Sequence, residues 1–160
     1  MKSIKRSVRV LLVALLAAPV VCLAADDKNM DPPLMEPLKS VLDHYLAIQK
    51  ELTKDSIKGV DEHANAIAKA VKADDMKMLP PDVATQAAKL AGAKDLKAAR
   101  EADKPLSASL IKYLADNKLG KGMYHEAYCP MVKASWLQTD KNIKNPYMGK
   151  SMPGCGELKN

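Results

Sequence analysis

The sequence predicts an all-α protein: an antiparallel four-helix bundle closed by a short, irregular or β-hairpin C-terminal module rich in Cys and Met. Three observations predict it. Apolar residues recur at three- and four-residue steps through four successive segments. No Gly-rich loop occurs, and the chain has only 7 Gly, which argues against a large α/β nucleotide-binding fold. Composition then changes sharply near residue 122, where aromatics, Cys, Pro and Gly begin to concentrate. The 160 residues suit one domain, and 48% hydrophobic with 28% charged residues is a globular rather than a disordered composition.

Residues 1–24 read as a signal peptide. Lys2, Lys5, Arg6 and Arg9 form a basic start, Val10 to Val21 an apolar run too short to span a membrane, and Cys22-Leu23-Ala24 a small-residue cleavage site. Cys22 follows Val21, where a lipid-attachment motif needs a smaller residue, so a cleaved, periplasmic protein is expected, peripheral to the membrane at most. The whole chain has 25 Lys and Arg against 19 Asp and Glu. Four of those basic residues belong to the leader, so removing it lowers the excess from six to two. No nucleic-acid partner is expected, because such a partner needs a clustered basic face.

Residues 25–33 form a polar, Pro-containing lead-in, and 34–158 a single domain divided into a bundle (34–120) and a C-terminal module (122–158). The first helix carries Leu34, Leu38, Val41, Leu42, Tyr45, Gln49 and Leu52 on one stripe; the second carries Ile57, Val60, Ala64, Ile67 and Val71. The polar step Thr53 to Ser56 between them is expected to cap the second helix. Pro80-Pro81 and Asp82 open a third helix with Val83, Ala87 and Leu90 inward, ended by Gly92. Leu96, Ala99, Asp103, Leu106, Leu110 and Leu114 define a fourth, expected to kink at Pro105. Asp103 falls on its apolar register and needs a partner if buried; Arg100, one turn earlier, is the expected one. His44 and His63 lie beside the stripes of the first two helices, with no metal-binding spacing between them.

The segment Tyr124 to Glu157 carries the chemistry. It contains Tyr124, Tyr128, Trp136 and Tyr147, both cysteines outside the leader, and Met131, Met148 and Met152, with Met123 just before it. Short strands are expected near 124–128 and 134–138. Cys129 and Met131 flank Pro130, Met152 precedes Cys155 by three, and His125 precedes Cys129 by four. Thiolate and thioether sulfur select Cu(I), with Ag(I) as its mimic, over hard ions. The candidate metal ligands are therefore Cys129, Met131, Met152 and Cys155, with His125 optional and Trp136 as a shield or as an anchor of the module. The competing reading of Cys129 and Cys155 is a structural disulfide, natural in an oxidising compartment. No nucleophile, metalloprotease or redox CxxC motif is present, and no enzymatic activity is expected.

The order CPM, WLQ, IKNPY, GKSM, CGE from Cys129 to Glu157 resembles an uncharacterised bacterial periplasmic domain. That domain is found alone or appended to adaptor subunits of heavy-metal RND efflux systems of the copper/silver type. Leu42 to Val71, with Lys54-Asp55, is similar to its opening helical pair, and Ala98 to Leu110 to its last long helix. Pro105 departs from the pattern, and Met148 stands where an aromatic is common. The resemblance implies a helical bundle with an irregular Cys/Met module and an association with copper handling, with an efflux adaptor or another copper protein as partner. The two functional readings are a Cu(I) carrier and a non-enzymatic interaction module closed by a Cys129–Cys155 disulfide.

Overall fold

A computed structural model describes residues 34–159; the leader, the lead-in and Cys22 lie outside them. Helix α1 (Leu38–Thr53) buries Leu38, Val41, Leu42, Tyr45, Ile48 and Leu52 along the expected stripe. Helix α2 (Val60–Lys72) starts later than expected. Its cap position is Gly59 in a left-handed conformation, φ 73°, rather than the Thr53–Ser56 step. Asp61 and Glu62 fill its first turn, where the helix dipole favours negative charge. Helix α3 (Pro81–Ala91) opens on Pro81, whose missing N–H costs nothing at a first position. Helix α4 (Leu96–Asp116) is capped by Asp95, which accepts from the Ala98 N–H at 2.8 Å.

Helix α4 runs unbroken through Pro105. Pro105 lies on the exposed side, so the carbonyl of Glu101 that loses its N–H partner can turn to water. The helices pack in chain order, α1 on α2, α2 on α3 and α3 on α4. Among the described residues no helix is long and apolar enough to cross a membrane.

The all-α expectation is overturned. The protein is α+β: four helices and a three-stranded antiparallel sheet in the order β2-β1-β3. Strands β1 (His125–Cys129) and β2 (Ala134–Gln138) fall where short strands are expected. Strand β3 (Glu157–Leu158) is the unexpected one, pairing Glu157 with Tyr128 and Leu158 with Ala127. The physical reason is the free edge of β1. A two-stranded hairpin leaves unpaired backbone groups and is marginal by itself. The chain end returns to satisfy that edge, and the Lys159 N–H extends the pairing to the Glu126 carbonyl at 2.8 Å.

Nor does the C-terminal region form an irregular unit built around sulfur. Strand β2 packs on α4 and reaches α1, and the sheet separates two cores. Leu137 points into the helical core. Trp136, its neighbour, joins Ala127, Cys129, Ala134 and Tyr147 in a smaller core on the other side. The sulfurs divide between inside and outside. Cys129 is buried and Cys155 half-buried, while Met131 and Met152 are 62% and 41% exposed.

A buried polar cluster ties α1, α4 and the C-terminal region together. The Tyr45 hydroxyl lies 2.7 Å from Ser107 Oγ and accepts the Leu137 N–H at 3.1 Å. Gln49 Nε2 donates to both oxygens of Asp103, at 2.9 and 2.8 Å, and Tyr147 donates to Ser107 at 3.0 Å. Asp103 is thus buried as expected, but its partners are Gln49 and Ser107, not Arg100. Desolvation pushes the Asp103 carboxyl up to about 6, against the lowering effect of those hydrogen bonds.

Candidate thiol and thioether site

The C-terminal strands bring Cys129 and Cys155 together. Cys129 closes β1, paired with Ala134 across the hairpin; Cys155 precedes β3 in the turn that leads the chain back. Their sulfurs lie 2.9 Å apart, and both cysteines are free thiols. Burial alone raises the Cys129 pKa. Hydrogen bonds to its sulfur, from the Cys155 thiol first and then from the backbone N–H groups of Val132 and Met131 and the Asn145 side chain, together outweigh that and hold Cys129 below the ordinary thiol range. Cys155 is shifted upward, first by that same bond to Cys129 and then by desolvation. The pair titrates as a unit in which Cys129 is the first to become thiolate.

The remaining sequence candidates take different places. Met131 contributes its backbone N–H to the Cys129 sulfur, while its side chain is exposed in the β1–β2 turn. Met152 accepts the Cys155 N–H through its carbonyl at 3.1 Å and is also surface-exposed. His125 shares a strand face with Cys129, since positions two and four apart face the same way. It sits at the opposite end of β1, about 13 Å away at ~3.3 Å per residue, outside the thiol pair's immediate surroundings. Trp136 is fully buried beside the pair, edge-on to Tyr147 with ring centroids 5.9 Å apart. It also fixes the returning chain. A Cβ at Gly156 would come within 3.0 Å of Trp136 Cη2 and 2.8 Å of the Tyr128 carbonyl, and φ there is 136°. Only glycine fits.

Most of the other C-terminal motif residues close the fold. Asn145 is buried; its Nδ2 donates to the Cys155 carbonyl at 2.6 Å, and its Oδ1 accepts the N–H groups of Tyr147 and Met148. Arg100 holds the segment from the helical side. Its Nε donates to the Pro146 carbonyl at 2.7 Å; its Nη2 donates to the Leu52 carbonyl at 3.0 Å and Asp55 at 2.6 Å. The Arg100 guanidinium holds the Asp55 carboxyl below its usual range. Gly149, with φ 52°, leaves room for this ion pair; a Cβ there would collide with Asp55 Oδ1 and the Arg100 guanidinium. Sequence spacing does not show this latch, because Asp55, Arg100 and Gly149 are distant along the chain. A legible hint was Lys54-Asp55 standing polar between two helices.

The donors can be tested against a soft metal ion. Among the described residues, no group of three or more His, Cys, Asp or Glu gathers at one place. A metal here would therefore use the two thiols, neighbouring thioethers or an outside ligand. With metal–sulfur bonds of about 2.3 Å, sulfurs 2.9 Å apart would subtend only about 80° at the ion. Uptake thus requires Cys155 to move outward. Gly154, before it, has open space around it, so the loop has room for that motion.

No family model, no curated protein and no solved structure matches this chain.

Proposed function

We propose that the protein is a non-enzymatic, periplasmic component of copper and heavy-metal handling. In this reading it binds Cu(I), or Ag(I) as a mimic, at Cys129 and Cys155 and passes it on. The carrying observation is what remains after the fold is accounted for. Asn145, Tyr147, Gly149, Gly156 and Trp136 all have structural duties; Cys129 also packs in the smaller core, but the meeting of the two thiols and the exposure of the Met131 and Met152 thioethers go beyond what packing needs. The low-pKa Cys129 supplies the thiolate and Cys155 the second sulfur. The thioethers are neutral and exchange readily, which suits release to an efflux adaptor or another copper protein. Trp136 walls off the inner side of the pair.

The 2.9 Å sulfur separation favours a second reading, in which the pair oxidises to a disulfide and the protein is an interaction module of an efflux or envelope assembly. One experiment separates the two. The protein is reduced, titrated anaerobically with Cu(I) against a chromophoric competitor, and its free thiols are counted before and after reduction. The carrier reading expects one Cu(I) per chain, lost in the Cys129→Ser/Cys155→Ser variant. No uptake by reduced protein, with thiols appearing only on reduction, overturns it in favour of the clasp.

A further inference from the structure

A second pair of metal-ligating side chains lies outside the sulfur site. His44 on α1 and His63 on α2 face each other across the helix–helix contact, with Nδ1 atoms 3.0 Å apart. Their ring centroids are 5.2 Å apart, with planes inclined at 42°. Both residues are half-buried, their backbones held by neighbours in the helical core: Val41, Tyr45 and Ile48 on α1, and Val60, Ala64 and Ile67 on α2. An Nδ1-to-Nδ1 hydrogen bond needs one ring protonated at Nδ1 and a bare lone pair on the other, so the two nitrogens share one proton. If that proton moves to Nε2 of its own ring, two neutral imidazoles present Nδ1 lone pairs to one small volume. This is the arrangement by which neutral histidines ligate metals.

We propose that His44 and His63 form a two-imidazole site for a divalent transition ion, with Cu(II) preferred. The separation is that of a hydrogen bond, and it is compatible with the choice. At metal–nitrogen bonds of about 2.0–2.1 Å, nitrogens 3.0 Å apart subtend about 94° at the ion. That is close to the right angle between neighbouring ligands in tetragonal Cu(II) or Ni(II), and well short of the tetrahedral angle of Zn(II). The intrinsic order of affinities also places Cu(II) highest. Among the described residues no third His, Cys, Asp or Glu joins the pair, so the other positions fall to water or to a ligand on another molecule. Such a site exchanges its ion readily. Gly59, at the start of α2, puts no side chain over the His63 ring, where a Cβ would lie 4.0 Å from Cδ2. The site is independent of the sulfur pair, which takes the reduced ion through other residues.

The test uses tag-free protein with Cys129→Ser/Cys155→Ser, which removes thiols that would reduce the probe. Cu(II) chloride is titrated in with glycine as competitor, and the complex is examined by electron paramagnetic resonance. The expected result is one Cu(II) per chain with two imidazole nitrogens coordinated. His44→Gln and His63→Gln each weaken binding at least tenfold, and His125→Gln leaves it unchanged. If the thiol-free protein fails to fold, Ni(II) titration of the wild type with the same His variants replaces it. If a His variant fails to fold, the imidazole count on the wild-type complex decides. Weakening of less than tenfold in the folded His variants, or a complex without two imidazole nitrogens, overturns the proposal.

Discussion

Replacing Asp103 by asparagine tests what the buried carboxyl does to stability. Asp103 is fully buried without a cation, and its pKa is pushed up from 3.8 to about 6 by desolvation. The protonated form is thus the one that the fold prefers. A carboxyl whose folded pKa is raised contributes its stabilisation below the unfolded pKa, near 4, and loses it as pH rises through about 6. At about 1.4 kcal/mol per pKa unit the full loss is about 3 kcal/mol, of which about 2.5 kcal/mol falls between pH 4 and pH 7. The amide of the Asp103→Asn variant would not titrate, and it could donate to Gln49 Oε1, which is buried with no partner. The stability of Asp103→Asn relative to the wild type should therefore rise by about 2.5 kcal/mol from pH 4 to pH 7 and then level off. Urea denaturation at unit pH steps, with the denaturant dependence held common, reads this difference directly. Asp55, Glu51 and Asp140, whose pKa values are lowered, act in the opposite sense at lower pH and cancel in the comparison. A difference that stays flat from pH 4 to pH 7 would refute the reasoning. So would a variant clearly less stable than wild type at pH 7.

Three further outcomes are expected. Gly149→Ala should destabilise the protein by about 2 kcal/mol or more, because a left-handed residue there collides with Asp55 and Arg100; an unchanged denaturation midpoint would mean that the loop is not held against that pair. Arg100→Lys should cost roughly 1.5–3 kcal/mol, since one ammonium cannot serve the Pro146 and Leu52 carbonyls and Asp55 together, and a double-mutant cycle with Gly149→Ala should be non-additive. Oxidising Cys129 and Cys155, 26 residues apart, should stabilise the protein by about 3–4 kcal/mol on a chain-entropy account; equal melting temperatures with and without reductant would show that no bond forms.

The local order of this protein is largely written in short-range pattern. The stripe from Leu38 to Leu52, the stop at Gly92 and the two strands around Cys129-Pro130 follow from periodicity and turn chemistry within a few residues. The apolar register of α4 identified Asp103 as a buried position, because a helix face repeats every three to four residues whatever lies opposite. Pro105 was legible as an anomaly, but its tolerance depended on which side of α4 met water. Strand β3 was not legible. Two residues carry no alternation to read, and they become a strand only because the edge of β1 is left open beside them.

What tertiary structure alone decided is pairing across distance. The sequence supplied Cys129 and Cys155 as candidates, and the sheet set them 2.9 Å apart; it also carried His125 to the far end of the same strand. Gln49 rather than Arg100 meets Asp103, Arg100 reaches Asp55 and Pro146, and His44 meets His63. Each of these depends on the angle and register at which helices and strands cross. A side-chain period states which face a residue occupies. It holds no information about which residue of another element that face will meet, since that is settled by packing all the faces at once.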